Sequence, residues 1–537
     1  MTPSRPRKAR PLLLLLAGAL AGPLVSGCGG SDAEPAGARR PNVILITLDT
    51  VRADYLTCYG ATTGGTPAID DLARGGTLFE RAVSSSGLTP ASHATILTGK
   101  FQYNHGVRVL SADSGFRLGN EHETLATKFK AAGYRTAAVH SAFPVSATFG
   151  FDQGFDHFDS FDAGLERKPG RNKVSWDVTK FQRRSDETTD RTIAWLDEVL
   201  GEDGAIGEGE QPFFLWIHYW DPHDPVKLPP VDEWAALMKT PELKNIQDRQ
   251  TREYAAEVRW QDRNIGTLLT ALNSKGLMAN TVMAVTADHG QGLADGMELH
   301  RWGNHRMLYR EQVHVPLILS GPGVPAGQRI VDQVRTADLA PTLLDLAGVE
   351  SIEGRIDGES LVSRIAGESG GDLWAYGEQI NGYDFNAAMR KHRPDATFLY
   401  MVSDGEWKLV YKPTMPEMSE LFHVAVDPKE RRNVIADNPE QVVRLLGDLA
   451  VRNPWVTEPF PVTEGSAVAG EGSSAAMISL GYSAAEKGSG DWSWICPEHT
   501  NTEPKADQRG RCQVDGCNRI MVPIGVWVDP PATDSPK

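Results

Sequence analysis

The sequence predicts an α/β fold, a large and mainly parallel sheet flanked by helices, with a smaller C-terminal α+β subdomain after it. Two observations carry that reading. Apolar runs rich in β-branched residues recur through the first half of the chain, each of strand length and each stopping at polar residues. Segments with helical periodicity lie between them, and strands alternating with helices imply parallel pairing.

The strands are read first from "PNVILITLD" (41–49), a continuous apolar run suited to burial on both faces. "YRTAAVHSAF" (134–143), "PFFLWIHYW" (212–220) and "NTVMAVTADHG" (280–290) repeat the device. Helices are expected over "HETLATKFKAAG" (122–133) and "EYAAEVRWQDRNIGTLLTALNSKG" (253–276). After "TADLAPTLLDLAG" (336–348) the character changes: "FLYMVSDGEWKLVYKP" (398–413) reads as a hairpin with "DGEW" as its turn, and the run 419–452 ends in a turn and a helix. These features divide the chain into an α/β domain (41–350), an α+β subdomain (351–455), a Gly/Ser/Ala-rich linker (456–490) and a Cys/His-rich tail (491–537).

Composition narrows the function. The 537 residues are 40% hydrophobic and 23% charged, ordinary for a globular chain, and the net charge of -16 excludes nucleic acid as a partner, because phosphate binding needs a basic face. An anionic substrate must therefore be held by a local site. The N-terminus "MTPSRPRKARPLLLLLAGALAGPLVSGC" has a basic start, a short apolar stretch and small residues before Cys28. Residues 1–27 look like a bacterial lipoprotein signal with lipid on Cys28, and 28–40 like a flexible tether. The plainer reading is a secretory signal with an incidental cysteine. Both place the protein outside the cytoplasm, and the first anchors it to the cell envelope.

Asp49, His140, His218, Asp288 and His289 all fall where apolar strands end. Ligands of open α/β sheets bind at the carboxyl ends of the strands, so these residues are expected to converge. Two carboxylates and an imidazole suit Ca²⁺, Mn²⁺ or Zn²⁺. Taken alone, "TADHG" is also a polar turn after a strand. The stretch "LTPASHATILTG" (88–99) poses a parallel choice: Thr89 before Pro90 fits a helix N-cap, and equally a hydroxyl aimed at an anion held on a helix N-terminus. Cys58 is read as a small hydrophobe.

The ordered set "NVILITLDTVRADYLTCYG" (42–60), "LTPASHATILTG", "FFLWIHYWDPHDP" (213–225), "VTADHG" (285–290), "HRMLYREQVHVPLILSGPGV" (305–324) and "TADLAPTLLDLAGV" (336–349) resembles the sulfatase family of the alkaline phosphatase superfamily. "EWKLVY" (406–411), "ELFHVAVDPKERRNV" (420–434) and "SLGYS" (479–483) are similar to that family's C-terminal subdomain. The resemblance implies an alkaline-phosphatase-like sandwich and a metal-dependent hydrolase of sulfate or phosphate esters. Asp49, Asp288 and His289 are its metal ligands and Thr89 completes the site. His218 contacts the substrate anion or protonates the leaving oxygen, and His305 clamps the anion. His93, His140 and His223 are assigned to substrate binding, with a loop-stabilising role for His223 left open.

One departure from the family is chemical. Sulfatases carry Cys or Ser in a Cys/Ser-x-Pro-x-Arg motif that is oxidised to formylglycine, whereas this chain has Thr89-Pro90-Ala91-Ser92-His93. Threonine is a secondary alcohol and oxidation would give a ketone, so formylglycine is not expected. Thr50 also stands where several relatives have a second Asp. Three functions follow: a hydrolase using Thr89 as nucleophile or metal-held hydroxyl; a phosphodiesterase or phosphoryl or head-group transferase using the same hydroxyl; and a non-catalytic protein that binds anionic glycans. In the tail, Cys496, His499, Cys512 and Cys517 offer four ligands for a structural Zn²⁺; the alternative is one disulfide and a spare thiol.

Overall fold

In the computed structural model the described residues are 39–63, 65–108, 117–159, 168–169, 174–175, 182–200, 211–223, 228–294, 308–380, 398–413, 416, 419–456, 492–495, 505–506 and 522–525. All but residue 39 belong to one compact unit, Arg40–Lys537. Cys28, His305, Cys496, His499, Cys512 and Cys517 lie outside the described residues.

The main sheet has eight strands: β1 (Asn42–Leu48), β2 (Gly76–Val83), β3 (Arg135–His140), β4 (His157–Asp159), β5 (Phe213–Tyr219), β6 (Thr281–Ala287), β7 (His314–Ser320) and β8 (Gln328–Arg335). Their order is β8-β2-β7-β6-β1-β5-β3-β4, and only β7 runs against the others. The four apolar runs read from the sequence form its centre, β6-β1-β5-β3. Each side chain of β1, β5 and β6 is buried, because helices cover both faces. Burial of one such Val, Leu or Ile stabilises by about 1.5–3 kcal/mol, so the apolar centre fixes the register.

The strands missed in the sequence have physical reasons for being illegible. β2 carries Glu80 and Arg81, and β8 alternates exposed and buried residues, so neither is a continuous apolar run. β7 contains Pro316, which argues against an interior strand. The Pro316 carbonyl nevertheless accepts a hydrogen bond from the Thr286 hydroxyl (2.8 Å).

Flanking helices include α1 (Pro67–Arg74), α2 (Thr89–Thr98), α3 (Leu125–Ala131), α4 (Ser185–Leu200), α5 (Arg249–Ser274) and α6 (Leu339–Leu346). α3 starts later than expected because Thr124 caps it, its hydroxyl accepting from the Thr127 amide (3.2 Å). No helix among the described residues is long and apolar enough to cross a membrane.

A second, antiparallel sheet holds β9 (Ala375–Ile380), β10 (Phe398–Ser403), β11 (Lys408–Tyr411) and β12 (Glu420–Phe422), in chain order. The "DGEW" turn forms as expected: the Asp404 carboxylate accepts from the amides of Glu406 (2.9 Å) and Trp407 (2.7 Å), and Gly405 sits at φ +93°. Helix α7 (Pro439–Arg452) buries Leu445 and Leu449 against Leu409 and Val402 of this sheet. Further along, 492–495, 505–506 and 522–525 form a three-stranded antiparallel sheet.

A buried ion pair ties the segment after α2 to the second sheet. Arg108, after α2, donates through Nε and Nη2 to the Glu378 carboxylate of β9, and through Nη2 also to the Tyr400 hydroxyl (3.2 Å); Asn453 adds a bond to Glu378 (3.1 Å). Both side chains are 2% exposed or less. Removing one partner leaves an uncompensated buried charge, so Arg108→Met is expected to cost about 3–5 kcal/mol in urea unfolding. The double change Arg108→Met with Glu378→Met is expected to recover much of that loss; a double variant no more stable than Arg108→Met contradicts this account of the pair.

Candidate active site

Strand register builds the site. Leu48 at the end of β1 pairs with Tyr219 of β5 on one side and Ala287 of β6 on the other, so the next residues, Asp49 and Asp288, leave adjacent strand ends together. His289 follows Asp288, and His218 lies beside Thr47 and His140. One ligand atom from each of Asp49, Asp288 and His289 lies within 4.8 Å of the others, and all three residues are fully buried.

Each of the three has one side tied by protein and the other turned inward. Asp49 Oδ2 receives the His218 Nε2–H (3.2 Å), and Oδ1 has no hydrogen-bond partner among the described residues. Asp288 Oδ1 accepts from the amides of Thr50 (3.0 Å) and His289 (2.7 Å), and Oδ2 likewise has none among the described residues. His289 Nδ1 lies 2.9 Å from the Gly290 carbonyl, which can only accept. The proton is thereby assigned to Nδ1, leaving Nε2 its lone pair. Buried carboxylate oxygens rarely lack partners. Burial and the neighbouring Asp288 hold the Asp49 carboxyl well above the usual carboxylate range. A divalent cation answers both demands, because it supplies positive charge and partners for these oxygens. Oxygen–metal bonds of about 2.3–2.6 Å for Ca²⁺, or near 2 Å for Zn²⁺, suit donor atoms spaced this closely.

Thr89 is not an N-cap. Leu88 takes the cap position with no side-chain bond, and Thr89 is the first residue of α2. Its hydroxyl points into the cluster, hydrogen-bonding Asp49 and lying 3.4 Å from His289 Nε2. Helix α2 is buried on every side, ends at Gly99 (φ +65°) and aims its positive end at the two carboxylates.

The loop before Thr89 is held by residues that the sequence did not flag. Ser84 donates to the Asp288 carbonyl. Gln379 of β9 accepts through Oε1 from the Ser86 hydroxyl and the Gly87 amide (both 3.0 Å), so the second sheet braces the segment carrying Thr89. Gly290 is required by close approach: a Cβ there would run into the Glu311 carbonyl.

The remaining histidines are buried around this core. His93 bridges two backbone-ordered groups, with Nδ1 2.8 Å from the Thr89 carbonyl and Nε2 3.1 Å from the Thr47 hydroxyl, which also accepts from Trp216 Nε1 (2.9 Å). Its ring contacts are thus with protein, beside Asp288 (3.7 Å) and the His218 ring (centroids 5.0 Å). His223 stacks on Trp220 at 3.9 Å. His140 packs against Phe158 (5.0 Å), with Arg183 donating to its carbonyl (3.0 Å). Burial holds the imidazoles of His218 and His223 well below their ordinary range, and burial together with Arg183 lowers His140 to about 3. Cys58 is half-buried and its thiol is pushed up to about 12 by burial and Asp70, so it is a poor nucleophile.

Residues 41–349, more than half of the chain, match the sulfatase family model, and 298–449 match that of the N-sulphoglucosamine sulphohydrolase C-terminal region. The chain belongs to the sulfatase family. An N-acetylglucosamine-6-O-sulfatase of Bacteroides thetaiotaomicron is 24% identical, the match covering 82% of this chain and 90% of that protein. An arylsulfatase of Clostridium perfringens is 26% identical over 74% of this chain and 90% of its own length. Among solved structures, one in complex with its substrate D-glucosamine-2-N,6-O-disulfate superposes with a TM-score of 0.59 at 22% identity, covering 79% of this chain and all (100%) of that one. A phosphonate monoester hydrolase of Agrobacterium radiobacter gives 0.56 at 22% identity, covering 77% and 95%. As a sulfatase-family member the chain is a hydrolase acting on ester bonds, and enzymes of this family use a divalent metal ion. The fold is that family's: a large mainly parallel sheet with a smaller antiparallel one behind it.

His140 gives the fold a pH dependence of known sign. Its folded-state value of about 3 lies below the ordinary histidine value of 6.5. Between these limits the unfolded chain binds more protons, so its contribution is intact above pH 6.5 and is lost as pH falls toward 3. The urea midpoint is expected to fall on acidification through that window, and to fall less in His140→Phe. Equal acid sensitivity in the two proteins contradicts this role.

Proposed function

We propose that this protein is a metal-dependent hydrolase of sulfate or phosphate esters in which the Thr89 hydroxyl is the nucleophile. The observation that carries the reading is the placement of that hydroxyl at the N-terminus of α2, bonded to Asp49 and beside His289, next to two buried carboxylate oxygens that have no hydrogen-bond partner among the described residues. Asp49, Asp288 and His289 would hold the cation, either Ca²⁺, Mn²⁺ or Zn²⁺. When bound, such an ion lowers the pKa of a coordinated hydroxyl and polarises the ester oxygens.

The chain's own groups supply the rest. Asp49 receives the Thr89 hydrogen bond and is placed to accept its proton as the oxygen attacks. His218 fixes the orientation of Asp49 through its Nε2–H, and its Nδ1 has no hydrogen-bond partner among the described residues. The α2 N-terminus adds N–H groups and a positive dipole for the anion's oxygens. His93 holds the Thr89 carbonyl, a task assigned to substrate in the sequence reading and better matched to positioning here. With threonine at this position no formylglycine is formed: as the Thr89 oxygen bonds to sulfur or phosphorus the bond to the leaving oxygen breaks, and the alcohol departs with the proton that Asp49 took up; water then attacks the same centre, breaking the bond to Thr89, restoring its hydroxyl and releasing sulfate or phosphate. The glycan sulfates named for the relatives make an anionic sulfate ester on a sugar the first substrate class to try. Phosphate esters come next, on the strength of the fold shared with the phosphonate monoester hydrolase. Export through residues 1–27 and lipid anchoring at Cys28 complete the proposal, with a structural Zn²⁺ on Cys496, His499, Cys512 and Cys517.

A panel of aryl sulfate, phosphate monoester, diester and phosphonate substrates, each tested with Ca²⁺, Mn²⁺ and Zn²⁺, identifies the chemistry. Product analysis with and without an alcohol acceptor separates hydrolysis from transfer. Thr89→Ala is expected to abolish turnover, by about 10²–10⁴-fold or more, while metal content by elemental analysis stays at the wild-type level. Wild-type kcat in Thr89→Ala overturns the nucleophile assignment. Asp288→Asn is expected to reduce bound metal, and unchanged metal content removes Asp288 from the ligand set.

A further inference from the structure

Thr50, the residue after Asp49, has a backbone φ of +56°. A β-branched residue in this left-handed region is strained and persists only where its surroundings over-determine it. The Thr50 hydroxyl is buried and has no hydrogen-bond partner among the described residues. The hold comes from the backbone atoms. The Thr50 amide donates to Asp288 Oδ1 (3.0 Å). The Tyr254 hydroxyl donates to the Thr50 carbonyl (2.7 Å) and accepts from the Arg52 amide (2.9 Å). Tyr254 comes from α5, some two hundred residues away, is fully buried, and is locked edge-on against Tyr55 (centroids 4.8 Å, 88°).

That turn serves both acidic residues. It carries the chain off β1 immediately after Asp49, and its amide occupies Asp288 Oδ1, which leaves Oδ2 facing Asp49. We propose that Tyr254 is a positioning residue for the metal centre: by clamping both flanks of the strained Thr50 turn it sets the spacing of Asp49 and Asp288 and so the affinity for a divalent cation. This rests on the reading of Asp49, Asp288 and His289 as metal ligands. Tyr254 touches neither ion nor substrate and acts through the backbone. Relaxation of Thr50 toward negative φ would withdraw its amide from Asp288 and turn Asp49 away.

The test is calorimetric titration of Mn²⁺ into the metal-stripped full chain. Tyr254→Phe keeps the ring and its packing and removes only the clamping oxygen; Mn²⁺ affinity is expected to fall by about 10–100-fold, the usual cost of losing an outer partner of a metal site. Thr50→Gly adopts the left-handed turn without strain and is expected to bind Mn²⁺ like the wild type. Combined with Tyr254→Phe it is expected to restore most of the lost affinity. A purely structural role for Tyr254 would lower thermal stability and leave Mn²⁺ affinity alone. Unchanged affinity in Tyr254→Phe, or a loss that Thr50→Gly does not relieve, overturns the proposal. If Tyr254→Phe does not fold by itself, the comparison is made within the Thr50→Gly background, where a large loss of affinity on adding Tyr254→Phe overturns it. Absence of Mn²⁺ binding by the wild type is a different result, and overturns the metal-centre reading together with this one.

Discussion

Asp49 and Asp288 lie side by side with no exposed surface, and each keeps one carboxylate oxygen without a hydrogen-bond partner among the described residues. Burying two like charges together is costly, and the cost shows in the Asp49 carboxyl being driven well above its usual range. A core of this size could have placed apolar residues there. It instead surrounds the pair with groups that hold the outer oxygens and leave the inner ones bare: the amides of Thr50 and His289 on Asp288, and His218 on Asp49. Positive charge between the carboxylates is the missing element, and the His289 lone pair is set to share it.

The architecture serves that constraint at three levels. Register between β1, β5 and β6 sets the positions of Asp49, Asp288 and His218 to within a residue. The α2 helix brings Thr89 to the same point, and its loop is tied to Asp288 by Ser84 and to the second sheet by Gln379. The second sheet therefore braces the segment that carries Thr89. It is tied to the segments around the site by the Arg108–Glu378 pair, by the Glu378 amide donating to the Ser85 carbonyl (3.0 Å) and by the Ser86 hydroxyl donating to the Glu378 carbonyl (3.0 Å).

The centre of this design was legible in the sequence because it follows from short-range rules. An apolar strand that ends in Asp or Asp-His announces both the element and the residue at its tip, and four such runs implied the sheet and the convergence at its carboxyl edge. The hairpin at Asp404 was legible for a similar reason, since its turn chemistry is local. What could not be read depends on distant contacts. Tyr254 in the middle of a helix has the pattern of an ordinary core residue, and Gln379 sits in a strand whose outward neighbours are set only by the fold. At Thr89 the local sequence permitted either a cap or an inward hydroxyl; the chain assigns the cap position to Leu88 and turns the hydroxyl inward. The contacts of His93 were equally hidden: its two ring nitrogens lie against the Thr89 carbonyl and the hydroxyl of Thr47, which is far away in the chain.

The most direct test of the central claim is crystallographic. Crystals soaked in Mn²⁺ should show a strong anomalous peak within coordination distance of Asp49 Oδ1, Asp288 Oδ2, His289 Nε2 and the Thr89 hydroxyl. A peak that forms elsewhere, with these four groups left without an ion, would contradict the account.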